Sequence, residues 1–205
     1  MSKWTTLFLA FNLAVVLYSC RTYHPAFTEE EISSETLYNH YFSDPAKDYV
    51  YKASITVYGN DISGILIIKK ISETTHRVVM TTEFGNTLLD MTLFPEGYQK
   101  HSVVPSLDKK IILKTLAHDM SLLVRETFKT HKKSRDGSGY LYGGKIDTKN
   151  LFVWVTSEKL IKKITLASQF KEKLNVYFDA NSGIFAEEVV IEHLTIPLQI
   201  SLKAL

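Results

Sequence analysis

The sequence predicts a mainly β protein of the α+β class, in which about ten antiparallel strands form a large curved sheet, an unclosed half-barrel. Apolar and polar residues alternate with period two through much of residues 49–104 and 151–202. A single long helical pattern over about residues 106–126 separates these two blocks. The connections are too short for parallel crossovers, and a sheet of this size tends to curl. We therefore expect the helix to cover the concave side of the sheet.

The segment before the first strand reads as a polar tether followed by a short helix. We predict this helix over about residues 29–42, with Thr28 as its N-cap and Glu31 completing a capping box. It should end before Asp44-Pro45, because a residue that precedes proline disfavours the helical conformation.

The first strand block is predicted as an uninterrupted antiparallel meander. Its opening strand places Tyr51, Ala53, Ile55 and Val57 on one face. Four further strands are expected at residues 63–71, 76–83, 87–94 and 97–104. Turn residues such as Gly85-Asn86 and Pro95-Glu96-Gly97 separate them.

The long central helix is predicted from a stripe of apolar residues at spacings of four, four and three. The stripe consists of Ile112, Leu116, Met120 and Leu123, and Ser106 can cap the helix. An apolar stripe of this kind requires a surface to pack on, which the sheet supplies.

A basic segment at residues 128–139 follows the helix and is predicted to be a loop. Lys132, Lys133 and Arg135 are candidate contacts for anionic lipid headgroups, and the alternative is a solvated, mobile connection. Five more strands are predicted at residues 151–156, 160–167, 172–178, 185–193 and 196–202.

The charge balance and the distribution of histidines exclude several functional classes. The chain has 24 basic and 22 acidic residues, a net charge of +2, so no nucleic-acid partner is expected. Its seven histidines show no metal-ligand spacing, and we expect no metal and no cofactor. Gly137-Ser138-Gly139 lacks the outer glycine spacing of a nucleophile elbow. We therefore expect that the protein is not an enzyme.

Two acidic positions within the predicted elements have open interpretations. His118 and Asp119 are adjacent on the central helix, where neighbouring side chains point in different directions, and we expect a solvated pair. Asp90 lies in a predicted strand, and its burial would indicate a functional role. The alternative for Asp90 is a solvent-facing strand residue.

The first twenty residues carry a separate pattern. Lys3 precedes an uncharged, mostly apolar run over residues 4–18, which has the length of a signal-peptide core and is short for a membrane span. The run ends at Leu17-Tyr18-Ser19-Cys20, and Cys20 is the only cysteine of the chain. Leu17, Ser19 and Cys20 resemble the lipobox of bacterial lipoproteins. The alternative for Cys20 is an ordinary buried thiol in an N-terminal helix.

The lipobox resemblance implies lipidation and a place in the cell envelope. It implies that residues 1–19 are removed as a signal peptide and that Cys20 carries diacylglycerol, which anchors the protein to a membrane. Residues 21–24 lack the acidic residue that retains lipoproteins in the inner membrane of many proteobacteria. We expect the periplasmic face of the outer membrane, and exposure on the cell surface stays open.

A second resemblance covers roughly residues 49–205 and rests on the order of the elements. Its most specific piece is FGNTLLD at residues 84–90, followed by Gly97-Tyr98 and the helix at residues 107–123. This progression resembles the lipoprotein-localisation (Lol) family, which includes a periplasmic carrier and an outer-membrane receptor. The resemblance implies one domain over residues 46–205, after a tether and short helix at residues 20–45. It also implies an unclosed barrel whose apolar concavity holds acyl chains of a lipid or lipoprotein.

Apolar side chains of the strands and the helix are the candidate lining of such a groove. They are Ile55, Val57, Ile67, Leu89, Met91, Leu93, Leu116, Met120, Val153, Val176, Leu198 and Ile200. An acyl chain requires a groove without hydrogen-bonding demands, which these residues can supply. Two alternatives stay open: these residues form an ordinary packed core, or the protein is a non-catalytic scaffold for an envelope protein complex.

Overall fold

The computed structural model describes Tyr23, Pro25 and residues 30–205, with only the backbone at residues 30–33. In this part of the chain, 13 strands form one antiparallel sheet that is not closed into a barrel. The first half contains β1 (Glu30–Tyr38), β2 (Asp48–Val57), β3 (Asn60–Lys70), β4 (His76–Thr81), β5 (Thr87–Phe94), β6 (Gly97–Val103) and helix α1 (Lys110–Leu123). The second half contains β7 (Thr127–Asp136), β8 (Gly139–Ile146), β9 (Lys149–Thr156), β10 (Ile161–Ala167), β11 (Glu172–Asp179), β12 (Glu188–His193) and β13 (Leu198–Ala204).

Two meanders join end to end to make the sheet. Strands β2 to β6 form the first meander and β7 to β13 the second, and β13 pairs with β2 over seven residue pairs. Strand β1 pairs with β7. The sheet therefore has β1 at one edge and β6 at the other, and the segment that contains α1 connects edge strand β6 to β7, the neighbour of the opposite edge strand.

One face of the sheet carries the core. In β2, for example, Tyr49, Tyr51, Ala53, Ile55 and Val57 are buried while the residues between them are partly or fully exposed, as the period of two predicts. Buried side chains from both meanders and from α1 belong to one hydrophobic cluster. The predicted helical stripe is confirmed, because all four of its members are buried in this cluster.

Helix α1 begins four residues later than the predicted cap. Ser106 does not cap it, because Ser106 lies in a turn in which the Leu107 and Asp108 amides donate to the Val104 carbonyl. The helix starts after Lys109, which makes no capping hydrogen bond with its side chain. Among the residues that the structure describes, no helix has the length and apolarity needed to span a membrane.

The predicted N-terminal helix at residues 29–42 is wrong, because the chain forms strand β1 there. The backbone of β1 pairs with β7, with Leu37 opposite Phe128 and Tyr38 opposite Thr127. This pairing satisfies hydrogen-bonding groups that β7 would otherwise expose at the sheet edge. Long-range pairing thus overrides the local capping pattern, whose proposed cap, Thr28, lies outside the described residues.

The predicted basic loop at residues 128–139 is also wrong. Residues 127–136 form β7, and Gly139 begins β8, a strand that was not predicted. Phe128, Thr130 and Ser134 are buried between charged residues, so the segment is a half-buried strand whose charges conceal its alternation. The Lys133 ammonium lies 4.4 Å from the ring centre of Tyr140 and 5.2 Å from that of Tyr142, which favours the extended pairing.

Replacing Gly64 tests how closely β3 and β4 approach. A Cβ atom at Gly64 would lie 2.0 Å from the Thr81 carbonyl oxygen, so we expect Gly64→Ala to lower the free energy of unfolding by about 1–3 kcal/mol. Gly183→Ala is the control, since its Cβ would meet nothing closer than 3.6 Å and should change stability by less than about 0.5 kcal/mol. Urea denaturation measures both values, and equal values would contradict the close approach.

A second prediction concerns His76, which is buried and whose Nε2 donates to the Phe42 carbonyl at 3.0 Å. Burial lowers the pKa of His76 below its usual 6.5. The unfolded chain therefore takes up the proton first as the pH falls below about 6.5, and the free energy of unfolding should decrease there, by at most about 1.4 kcal/mol per pH unit.

The measurement is urea denaturation at several pH values between about 5 and 7.5. His76→Gln should flatten the decrease, whereas His131→Gln, at an exposed position of β7, should leave it intact. An unchanged pH dependence in His76→Gln would contradict the assignment.

Candidate functional site

Two cavities flank helix α1 and form the candidate site. The larger cavity, of about 510 Å³, lies between α1, the β5–β6 turn and the β8–β9 turn. The basic cavity, of about 340 Å³, lies between α1, the starts of β9 and β11 and the end of β12. The two share Lys114 and His118 of the helix. The site is therefore centred on one side of α1.

The floor of the larger cavity is apolar and belongs to the core. Its apolar lining comes from the helix, four strands and the β5–β6 turn, and consists of Phe94, Pro95, Tyr98, Ala117, Leu122, Ile146 and Leu166. Ala117, Leu122 and Leu166 are members of the main hydrophobic cluster, and Tyr98 and Ile146 pack against it. Charged side chains, among them Lys110 and Arg125, border the same cavity. The arrangement combines an apolar floor with a charged rim.

A buried carboxylate connects the helix to the sheet. Asp119 of α1 has no exposed surface, and its Oδ2 accepts a hydrogen bond from His193 Nε2 of β12 at 2.7 Å. Its Oδ1 lies 3.5 Å from His118 Nδ1. The expectation of a solvated His118–Asp119 pair is therefore wrong. No local pattern indicated the third member, because His193 is 74 residues away in sequence.

The C-terminal end of α1 is held by polar contacts from outside the helix. The Asn39 side chain donates to the Leu123 carbonyl at 3.2 Å and to the Arg125 carbonyl at 3.1 Å. These bonds satisfy carbonyl groups at and just beyond the helix end. Glu126 then pairs with Lys70 of β3 at 2.6 Å. The segment after α1 is thus fixed to both β3 and the chain that follows β1.

The twelve candidate groove residues do not all share one face. Eleven are on the buried face with at most 4% of their surface exposed, whereas Ile67 points to the opposite face, since its neighbours Leu66 and Ile68 point to the core. The continuous apolar run in β3 concealed this alternation. Leu93 and Val57 border smaller cavities of about 360 and 370 Å³. A role of these residues in ligand binding stays a prediction.

The candidate headgroup contacts lie on β7, away from both cavities. Lys132 is in register with Gly143 of β8, and Arg135 is exposed. Lys133 stacks over the β8 tyrosines, and a side-chain hydrogen bond with Tyr142 raises its pKa. None of the three borders the larger or the basic cavity. Contact with headgroups at this strand stays a prediction.

Asp90 is neither deeply buried nor a lone solvent-facing carboxylate. Arg77 donates to both of its oxygens, at 3.0 and 2.8 Å, and 16% of the Asp90 side chain is exposed. The hydrogen bonds from Arg77 hold the pKa of Asp90 below its usual value. The pair links neighbouring strands β4 and β5. Asp90 therefore has a structural partner rather than a place in the candidate site.

Cys20 lies outside the described residues, but Tyr23 shows where the chain after it meets the domain. The Tyr23 amide donates to the Gln169 carbonyl at 2.8 Å, and its hydroxyl donates to Glu172. Its ring packs edge-on against Phe152 at 5.8 Å between ring centres. Tyr23 joins a small second hydrophobic cluster that includes Leu141, Phe152 and Ala167. Tyr23 therefore lies on the sheet face opposite the core.

Metal-ligating side chains do not gather in the part of the chain that the structure describes. No group of three or more His, Cys, Asp or Glu residues there could hold a metal ion.

The Asp119–His193 contact gives a prediction for stability. A carboxylate buried without its partner is costly, so Asp119→Asn and His193→Gln should each destabilise the fold. Their double-mutant cycle should give a coupling energy of about 1–3 kcal/mol. The exposed pair Lys100–Asp108 is the control, with side chains 41% and 43% exposed and an expected coupling below about 1 kcal/mol. Equal coupling in both cycles would contradict a structural role for the buried contact.

Comparison with known proteins gives limited similarity. No family model and no curated protein matches the chain. A LolA superfamily protein from Nitrosomonas europaea is similar in structure, with a TM-score of 0.48 and 8% identity over 80% of this chain and 86% of that chain. A DUF1329 family protein from Desulfovibrio piger has a TM-score of 0.39 and 11% identity, over 77% of this chain and 83% of that chain. Because both TM-scores are below 0.5, the proposals below rest on the geometry of the chain itself.

Proposed function

We propose that this protein binds acyl chains of a lipid or lipoprotein without catalysis, between helix α1 and the curved sheet. The observation that carries the proposal is the larger cavity, with its apolar floor and charged rim. Its volume of about 510 Å³ lies within the range of about 300–1,000 Å³ that is usual for ligand pockets. Burial of each methylene contributes about 0.8 kcal/mol, so a long chain gains enough to offset the ordering that binding requires.

Curvature of the sheet around α1 supports the proposal. The helix contacts β5 and β6 and is also hydrogen-bonded to His193 of β12. Five strand spacings separate β12 from β5, about 24 Å in a flat sheet at about 4.8 Å each. The 14 residues of α1 span only about 21 Å along the helix axis, even if the helix lies directly across the strands. The helix can contact both β5 and His193 of β12 when the sheet bends around it, and it then lies on the concave side.

Helix α1 can act as a cover over this concave side. Its start has no side-chain cap, and short segments at residues 104–109 and 124–126 connect it to the strands. Displacement of α1 would uncover inward side chains such as Leu89 and Met91 on β5. The eleven buried candidate residues would then line a groove continuous with the larger cavity. In this proposal, the packed core and the groove are two states of the same surface.

We further propose that Cys20 carries the lipid anchor, with the domain on the periplasmic face of the outer membrane. Tyr23 is only three residues from Cys20 and is fixed on the face opposite the core. An anchor there would leave the larger cavity and α1 on the free side of the domain. Residues 1–19 would be removed as the signal peptide.

A second candidate function is that of a non-catalytic scaffold in an envelope protein complex. It is favoured by the low exposure of the eleven candidate groove residues, none above 4%. A core filled in this way can serve as a rigid support without binding a lipid. Acyl-chain binding requires that an acyl chain displaces α1 from the sheet, whereas the scaffold function does not.

Filling the larger cavity should reduce acyl-chain binding. Ala117 is buried and borders this cavity, so Ala117→Trp should weaken binding of a fluorescent fatty acid, cis-parinaric acid, by about tenfold or more. Ala46→Trp makes the same change at an exposed loop position and should alter binding by less than about twofold.

Fluorescence titration of the Cys20→Ser chain measures the affinities, and urea denaturation checks that both variants fold. Absence of binding by the parent chain would contradict the proposal. Equal binding by the two tryptophan variants would place the ligand elsewhere.

The lipid anchor gives a separate prediction. In bacterial cells, Cys20→Ala should move the protein from the membrane fraction to the soluble fraction and abolish incorporation of labelled palmitate, because the acylated sulfur is lost. Ser19→Ala keeps a small residue before the cysteine and is the matched control, with membrane association retained. Undiminished membrane association of Cys20→Ala would contradict lipidation as the means of anchoring.

A further inference from the structure

The basic cavity beside α1 has walls of one charge sign. Lys114 of α1, Lys149 of β9 and Lys173 of β11 border it together with His118 and His193, and no acidic residue does. None of the three lysines forms an ion pair within the described residues. Like charges around a partly enclosed space repel one another and attract a counter-ion. The cavity is therefore electrostatically suited to an anion.

The nearest carboxylate does not neutralise these lysines. Asp119 is completely buried, and both of its oxygens face histidines, His193 at 2.7 Å and His118 at 3.5 Å. Its contact with His193 instead fixes one wall of the basic cavity against α1. The three lysines come from three different elements, so a bound anion would be approached by ammonium groups from several sides.

The basic cavity and the larger cavity meet at the same helical positions. Lys114 and His118 border both, one turn apart on α1. A molecule with an apolar chain on the floor of the larger cavity would bring its polar end to these two residues. Lys149 and Lys173 border the basic cavity but not the larger one. This placement matches an amphiphile whose polar end is negatively charged.

We infer that the basic cavity binds the phosphate of an anionic lipid headgroup whose acyl chain occupies the larger cavity. The inference rests on the proposed acyl-chain binding and extends it to the class of ligand. A net negative headgroup is favoured over a zwitterionic one, because a headgroup cation would be placed among lysines. The same chemistry would also admit free phosphate, which the experiment must distinguish.

The test compares dioctanoyl phosphatidylglycerol with dioctanoyl phosphatidylcholine, both as monomers, on the full chain carrying Cys20→Ser. We expect phosphatidylglycerol to bind about tenfold more tightly at low salt, with the difference decreasing as salt is added. Lys149→Gln with Lys173→Gln should abolish the difference while changing phosphatidylcholine affinity by less than about twofold. The control is Lys52→Gln with Lys129→Gln, at exposed positions that remove the same net charge and should retain the difference.

Each outcome supports or overturns a separate part of the account. Equal binding of the two lipids, or equal loss in the two double variants, would overturn the headgroup site and leave acyl-chain binding intact. Failure of both lipids to bind would overturn the proposed function and this inference with it. Inorganic phosphate is titrated separately by calorimetry. If it binds as tightly as phosphatidylglycerol through the same lysines, the cavity is a free-phosphate site and the headgroup assignment is wrong.

Discussion

The pairing of β13 with β2 is the interaction on which the rest of the structure depends. It joins two meanders into one sheet and leaves β6 and β7 eleven strand spacings apart, about 53 Å if the sheet were flat. Residues 104–126 must connect them. The 14 residues of α1 supply only about 21 Å. The remaining residues could complete that span only if fully extended, but those after Val104 form a turn. The connection is therefore too short for a flat sheet, and curvature follows from it.

The position of α1 determines both the buried Asp119 and the two cavities. Because the segment that contains α1 joins β6 in one meander to β7 in the other, the helix meets strands of both, and Asp119 reaches His193 at the middle of the sheet. Where α1 does not fill the space beside the turns, the larger and basic cavities remain. In our account, the acyl chain and the headgroup occupy these two cavities on one side of the helix. Both cavities are consequences of the single short connection that contains α1.

Most strands that the sequence predicted contain apolar residues that alternate with polar ones or form short runs between turn residues. The meander from β2 to β6 and the strands β9 to β13 were predicted, with differences at their ends. The three missed strands, β1, β7 and β8, are neighbours at one edge of the sheet. Local signals favoured a capped helix over β1 and a basic loop over β7, and no strand was predicted over β8. The long-range pairing of β1 with β7 leaves no local trace in the sequence. Strands β7 and β8 instead form a tight hairpin in which Asp136 pairs with Gly139, and the many charged residues of β7 concealed it.

The candidate site could likewise be predicted only in part from the sequence. The helical stripe was predictable because Ile112, Leu116, Met120 and Leu123 recur with a helical period. The role of Asp119 was not predictable, since its partner His193 is on β12. Lys149 and Lys173 carry no motif that connects them to the helix. Ile67 was misplaced because a continuous apolar run does not reveal which residue faces the core.

The central claim is that an acyl chain lies between α1 and the inner face of the sheet. Photocrosslinking tests it most directly, with a fatty acid that carries a diazirine near its methyl end, followed by peptide mass spectrometry of the Cys20→Ser chain. The account predicts crosslinks to Ala117, Leu122 or Leu166 at the larger cavity, and to Leu89 or Met91 of β5 where the chain enters the groove under α1. Crosslinks confined to the opposite face, for example at Phe152 or Trp154, or no saturable crosslinking at all, would contradict it.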